Sequence, residues 1–375
     1  MDPFSPTEFD KLAAAGDGPF VSIQLPTHEV GPGPTTQDTV TYRQLVHRAQ
    51  EGLERLGWRR TKAEELLSPA ARLEHDSSFW SHQSRSLAVF VAPGLFRTQR
   101  MDRVAAPLSH VSEHGFHLKE LIPLTLDRRF LVLAISRKQL RLVEADPTGA
   151  RMVELGDVPA SLADALWFED PEKQLQHHQA GGPSAVFHGH GAERDDKEQV
   201  RRFIQRIDGG LTEVLKGLDA PLVLAGVAYE VDIVRNELSY GRVVDGSLDG
   251  NFDTARPGDM AAQATPLVQL TWEEPLRRDL ERFGAMQAAG TAVTAPIEVV
   301  QRAREGRVEV LVVASGLPVW AAGDQPDSVH DEFHPGDEDL TNTAALAVRA
   351  TGGTVHVVAP NQVPDGGPVA AILRY

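Results

Sequence analysis

The stretch Lys197–Gly226, KEQVRRFIQRIDGGLTEVLKGLDAPLVLAG, decides the fold. Within Lys197–Lys216, the residues Val200, Phe203, Ile204, Ile207, Leu211, Val214 and Leu215 recur at three- and four-residue spacing, while Arg201, Arg202 and Arg206 fall on the other side. That pattern makes an amphipathic helix with one face against a core. Leu222–Ala225 follows as an unbroken apolar run of strand length, which needs cover on both faces. A helix delivered into a buried strand is the unit from which α/β domains are built.

Upstream of this unit, Phe130–Ile135 and Leu140–Glu144 flank a turn at Arg137–Lys138 and read as a hairpin; a short strand at Ala185–Phe187 and a loop His188–Asp196 then lead into the helix. Downstream, Ser239–Gly258 is rich in Gly and Asp without periodicity, and reads as a linker or long loop. Beyond it come a long helical stretch Leu267–Ala288, a helix Pro296–Arg304 with Pro at its start, and a strand Val308–Ala314. A helix Leu340–Ala350 ended by Gly352–Gly353 precedes strands Val355–Val358 and Ala370–Leu373. Toward the N-terminus, Val21, Ile23 and Leu25 share one face of a strand Phe20–Leu25 that Pro26 ends. A Gly/Pro-rich loop, Gly31–Pro34, leads to a helix carrying Tyr42, Leu45, Val46, Ala49, Leu53 and Leu56 on one stripe. A second helix, Thr61–Leu73, has Thr61 as N-cap and Glu64 three residues on, the pattern of a capping box. Ser86–Val91 and Phe96–Met101 form a hairpin about Pro93–Gly94, and a helix near His117–Leu124 closes this region. Strands alternate with helices throughout, so the class is α/β. The expected domains are 1–127, 128–257 and 258–375.

A chain of 375 residues exceeds what one hydrophobic core normally serves, which agrees with several domains. It has no cysteine, so disulfides, Cys-ligated zinc and thiol nucleophiles are excluded together. Met1–Thr7 shows no basic segment followed by an apolar one, and the apolar runs are strand-sized. The expectation is a cytoplasmic protein with no membrane partner. Net charge is −16, whereas proteins that clamp nucleic-acid phosphates non-specifically are usually basic. Bulk charge therefore favours a protein or small-molecule partner over DNA, and any RNA contact must come from local basic patches.

The sharpest local feature is His188-Gly189-His190-Gly191. Glycines let the backbone approach a ligand closely, and two histidines can donate to phosphate, bind a metal or shuttle protons near neutral pH. The plainer alternative is a glycine turn between strand and helix with solvated histidines. His177–His178 adds little to the metal idea, and neither a metal nor a cofactor is expected. Arg194, Lys197, Arg201, Arg202 and Arg206 form a basic edge beside the loop; Arg137 and Lys138 make a smaller patch at a hairpin tip. These are candidates for RNA phosphates. Asp195, Asp196 and Glu198 interrupt the edge, so local helix ion pairs on a solvated face are the competing reading. The sequence has no Gly-x-Ser-x-Gly elbow, Walker lysine loop, His-Glu-x-x-His or dinucleotide fingerprint.

Five segments, in order, carry a likeness: Phe20–Pro26 (FVSIQLP), Phe116–Leu124 (FHLKELIPL), Pro221–Gly226 (PLVLAG), Gly306–Val313 (GRVEVLVV) and Ala371–Tyr375 (AILRY). Together they resemble the archaeo-eukaryotic class-1 peptide-chain release factor and Pelota family, most of all its bacterial branch. The resemblance implies an N-terminal α/β domain, an RNase H-like middle domain and a C-terminal α/β/α domain resembling ribosomal RNA-binding proteins. It also implies action in the ribosomal A site, with ribosomal RNA and, further, tRNA or a delivery GTPase as partners. The chain departs from the family at its most specific points. No Asn-Ile-Lys-Ser hairpin stands between the first two helices, and Gly-Gly-Gln is absent, with His188–Gly191 at its expected place. Phe130–Ile135 carries no carboxylate, so the middle domain lacks the metal-holding acids an RNase H nuclease needs. The leading expectation is a non-catalytic factor for rescue, stalling or hibernation that reads no codon. The alternatives are a peptidyl-tRNA hydrolase using the His188–Gly191 loop, with His188 and His190 as catalytic candidates, and a protein-binding module acting away from ribosomes.

Overall fold

The computed structural model describes residues 4–28, 36–136, 138–161, 190–323, 328–330, 332–334 and 336–375. The chain divides into two compact units, Met1–Leu126 with Leu276–Tyr375, and Asp127–Pro275. Both are α/β.

The first part of the discontinuous unit is an antiparallel sheet built from Phe20–Pro26 (β1), Ser86–Ala92 (β2), Leu95–Met101 (β3) and Leu108–Ser112 (β4), in the order β3-β2-β1-β4. Alternation sets its two faces. Val21, Ile23 and Leu25, with Leu87, Val89 and Val91, pack on the helices Thr36–Arg55 and Arg60–Leu73 through Tyr42, Leu45, Leu53 and Leu67. On the other face Phe20, Ala88 and Phe90 join a core with Phe116, Leu121 and Leu311, while Ser22 and Gln24 are buried polar residues there. The expected capping box at Thr61 is not formed. The helix opens one residue earlier, its N-cap Arg59 makes no side-chain cap bond, and Arg60 pairs with Glu64 at 2.9 Å instead. The helix expected near His117–Leu124 is a 3₁₀ turn, Lys119–Thr125, with Pro123 inside it. A proline withholds the amide that a longer α-helix would use there.

The second unit holds Phe130–Ile135 (β5), Leu140–Asp146 (β6), Gly149–Val153 (β7), Leu222–Gly226 (β8) and Val243–Asp249 (β9) in the order β7-β6-β5-β8-β9. The first three strands pair antiparallel, and β8 and β9 run parallel to β5 and β8. Relative to the unit's own numbering the order is third, second, first, fourth, fifth, which is the RNase H-like arrangement. Leu131, Leu133 and Leu224 face the helices His190–Leu218 and Ala228–Glu237, and Val132, Ala134 and Val223 face Met260, Ala264 and Val268 of the helix Pro257–Ala288. β9 corrects the sequence expectation of a linker at Ser239–Gly258. It is an edge strand whose burial is mostly lost after Val244, with Gly246 at φ +84° and a register shift opposite Leu222 and Leu224. An edge held by backbone bonds and bent at a bulge shows no apolar alternation. The expected strand Ala185–Phe187 lies outside the described residues.

The helix Pro257–Ala288 starts ten residues before the expected Leu267, with Pro266 and Pro275 inside it. Pro266 reads locally as a helix start, and the apolar contacts of Met260 and Ala264 override that signal. The second part of the discontinuous unit is a sheet of Ala292–Val293 (β10), Val308–Ala314 (β11), Thr354–Val358 (β14) and Val369–Leu373 (β15), ordered β10-β15-β11-β14, beside a two-stranded ribbon of Trp320–Ala322 (β12) and Asp337–Asp339 (β13). Leu311 and Val313 point toward the helices Pro296–Arg304 and Leu340–Ala350; Val310 and Val312 point toward Leu280 and Phe283 of the long helix. This is an α/β/α sandwich. Among the described residues no helix is long and apolar enough to cross a membrane.

Candidate functional site

The residues singled out in the sequence are only partly within view. His188, Gly189 and Arg137 lie outside the described residues, as do His177 and His178. His190 and Gly191 open the helix His190–Leu218, and Arg194 and Lys197 belong to its first turns, their side chains outside what is described. Lys138 is exposed at the β5–β6 turn, where its amide donates to Ser136 Oγ at 3.1 Å. Arg201, Arg202 and Arg206 are exposed on the helix, as the stripe predicted. Arg201 Nε lies 3.0 Å from Glu237 Oε1 on the neighbouring helix Ala228–Glu237, and Arg202 Nε lies 3.4 Å from Glu198. Exposed pairs of this kind are worth at most about 1 kcal/mol, so an incoming phosphate can replace the carboxylate at little cost. The edge is basic in sequence and partly neutralised in the fold.

The densest polar chemistry lies in the discontinuous unit, where sequence reading placed none. β13 ends at Asp339, whose Oδ1 accepts from the amides of Val319 and Thr341, both at 2.9 Å, and so caps the helix Leu340–Ala350. Its Oδ2 lies 2.9 Å from both His117 Nε2 and Lys119 Nζ. All three side chains are buried, with relative exposures of 0% for Asp339, 3% for His117 and 1% for Lys119. Lys119 Nζ also donates to Thr341 Oγ1 at 2.5 Å and to the Leu317 carbonyl at 3.4 Å. With its proton on Nε2, His117 has Nδ1 available to Gln24 Nε2 at 3.4 Å, and its own amide donates to Ser22 Oγ. The buried polar residues on the second face of β1 are thereby satisfied.

Asn342 completes the junction. Its Oδ1 accepts from the amides of Leu118 and Lys119 at 2.8 and 3.0 Å, and its Nδ2 donates to the Phe116 carbonyl. The Glu120 carboxylate accepts from Ser315 Oγ and the Gly316 amide. Burial alone would raise the Asp339 pKa; the Lys119 charge and the His117 hydrogen bond outweigh it and hold the carboxyl well below the usual range. Burial, with the neighbouring His117, pushes His110 down to about 4. A buried carboxylate surrounded by five donors, the Thr341 hydroxyl included, has no face left for a substrate, so this cluster is a clamp between the segments 110–120 and 337–342. Two sequence signals could have found it. Lys119 and Glu120 interrupt an otherwise apolar FHLKELIPL run, and Asp339 sits at an N-cap position.

Residues 129–307 match the family described as bacterial archaeo-eukaryotic release factor family 3. No curated protein matches. Among solved structures, the archaeal translation termination factor aRF1 is 14% identical over 99% of each chain, with a TM-score of 0.27. Archaeoglobus fulgidus Pelota is 16% identical over 77% of this chain and 79% of its own, with a TM-score of 0.32. Dom34 of S. cerevisiae, described as a translation termination-like factor interacting with Hbs1, is 10% identical over 75% of this chain and 73% of its own, with a TM-score of 0.41. Residues 129–307 are thus similar to the bacterial archaeo-eukaryotic release factors.

Proposed function

We propose that this protein is a cytoplasmic, ribosome-associated translation factor that enters the A site in rescue, stalling or hibernation, reads no codon and is not an enzyme. One position in the chain carries the reading. Where the family has Gly-Gly-Gln ahead of its long middle-domain helix, this sequence has His188-Gly189-His190-Gly191, at the start of the helix His190–Leu218. Peptide release by that tripeptide depends on backbone geometry that orients an attacking water. The glycines keep that freedom, but the glutamine is missing. Only four residues, Leu56–Arg59, join the helices Thr36–Arg55 and Arg60–Leu73, too few for a codon-reading hairpin.

The reading brings with it three functional domains, 1–127, 128–257 and 258–375, and RNA contacts from Arg137, Lys138, Arg194, Lys197, Arg201, Arg202 and Arg206. Ribosomal RNA is the expected partner, with tRNA or a delivery GTPase as further ones. Two assays test it. Wild type and His188→Ala/His190→Ala are compared for peptidyl-tRNA hydrolysis on purified ribosomes and for ribosome binding. Neither protein should hydrolyse, and the variant should bind more weakly. Robust hydrolysis by wild type that the variant loses makes the protein a peptidyl-tRNA hydrolase, because histidine can serve as a general base. Co-sedimentation with 70S or 50S particles should be clear at low salt and fade as salt rises, since an acidic chain has little reserve attraction for RNA. Absence from those fractions at low salt, in growing and in starved cells, points to a protein-binding module instead.

A further inference from the structure

We propose that His330, His334 and Asp337 form a binding site for one divalent transition-metal ion of the Zn²⁺ class. The ligand atoms of the three residues all lie within 4.8 Å of one another. Two of the distances decide the geometry. His330 Nε2 lies 3.0 Å and His334 Nδ1 3.5 Å from the same oxygen, Asp337 Oδ2. With metal–ligand bonds of about 2.0–2.2 Å, neighbouring ligands of a tetrahedral ion stand about 3.3 Å apart. Both pairs therefore sit near the edge length of such a tetrahedron before any ion enters. Two imidazoles and one carboxylate make a donor set suited to Zn²⁺ and its neighbours, and poorly suited to Mg²⁺ or Ca²⁺, which prefer oxygen.

The local fold holds this arrangement. Asp337 opens β13 and is 4% exposed, whereas His330 and His334 are 30% and 63% exposed, and the same Oδ2 also accepts the His334 amide. His330 is tied to the ribbon by its amide, which donates to the Trp320 carbonyl at 3.0 Å. Asp337 returns its amide to the His334 carbonyl at 3.0 Å. Behind them, Phe333 packs on Trp320 at 4.8 Å and His110 stacks on the same indole at 5.6 Å. His110 Nε2 donates to the Asp337 carbonyl at 3.0 Å, while its buried Nδ1 has no hydrogen-bond partner. Three protein ligands leave a fourth position for water, the pattern of an accessible site and not of a closed structural one. An ion there would fasten His330 and His334 onto the strand that ends in Asp339.

The competing account is two ordinary His–Asp hydrogen bonds that never hold a metal. The test uses full-length protein stripped with a chelator and dialysed, titrated with ZnCl₂ by calorimetry and with CoCl₂ by visible absorption. Wild type should bind one ion at this site, show the intense visible bands of tetrahedral Co²⁺, and gain melting temperature with added Zn²⁺. His334→Asn, an exposed change that leaves the fold intact, should weaken Zn²⁺ binding at least tenfold. His330→Asn/His334→Asn should abolish both the Co²⁺ bands and the melting shift, while His82→Asn, a change at an exposed histidine elsewhere, should alter neither. The proposal is overturned if wild type binds no Zn²⁺. It is equally overturned if binding and melting shift persist undiminished in the double variant, which assigns the metal to other histidines of the chain.

Discussion

The clamp around Asp339 and the arginine face of the helix His190–Leu218 use the same residue types to opposite ends. At the clamp, one carboxylate, one ammonium and one imidazole are removed from water and every partner is supplied by the fold. On the helix, Arg201 and Arg202 stay in solvent and meet Glu237 and Glu198 in pairs that water competes for. Buried charges have no alternative partner, so removing one strands the others. Exposed pairs can be exchanged for a ligand. Charges at 117–120 and 337–342 serve the fold, whereas Arg201 and Arg202 keep contact with solvent in exchangeable pairs, the property that the proposed RNA contacts require.

The largest expected effect is at the clamp. Asp339→Asn keeps an acceptor for the Val319 and Thr341 amides but leaves the Lys119 ammonium buried without its counter-charge, and should cost about 3 to 5 kcal/mol in denaturant unfolding. Lys119→Met added to Asp339→Asn should recover a large part of that loss. Simple additivity of the two changes would show that they are not coupled, and the clamp would then be a set of independent hydrogen bonds. A core change in the other unit gives the scale: Ile207→Val, in the stripe against β5 and β8, should cost about 0.5 to 1.5 kcal/mol in the same measurement. The smallest effect on stability is expected at the exposed face, where Arg201→Ala/Arg202→Ala should change it by no more than about 0.5 kcal/mol. The same pair should weaken ribosome sedimentation and flatten its salt dependence. A loss of stability with no change in sedimentation would assign these arginines to the fold and erase the contrast.

The parts of this fold legible in the sequence are those that bury whole faces. β5, β11 and the helix Leu340–Ala350 have the expected bounds because their apolar patterns are long and regular. β9 was not legible, since an edge strand with a bulging Gly246 is held by backbone bonds and carries little apolar side-chain pattern. The start of the helix Pro257–Ala288 was hidden by Pro266, which reads locally as a helix start and is overridden by packing. The pairing within the clamp and the convergence of His330, His334 and Asp337 were hidden for a different reason, although Lys119, Glu120 and Asp339 each left a local trace. His117 and Lys119 are separated from Asp339 by more than two hundred residues, and no spacing rule reports a contact made only by the closed fold. His330-x₃-His334-x₂-Asp337 is close in sequence, but it falls in a loop without periodicity, where nothing indicated that the three ligand atoms converge.

An electron-microscopy map of ribosomes isolated with the bound protein tests the central claim most directly. The account predicts density for this chain in the A site, with the N-terminal end of the helix His190–Leu218 directed at the peptidyl-transferase region and Arg201, Arg202 and Arg206 within reach of RNA phosphates. Peptidyl-tRNA, where present, should remain unhydrolysed. Density for this chain at another ribosomal surface with the A site empty, or ribosomes from the same cells carrying none of it, would contradict the account.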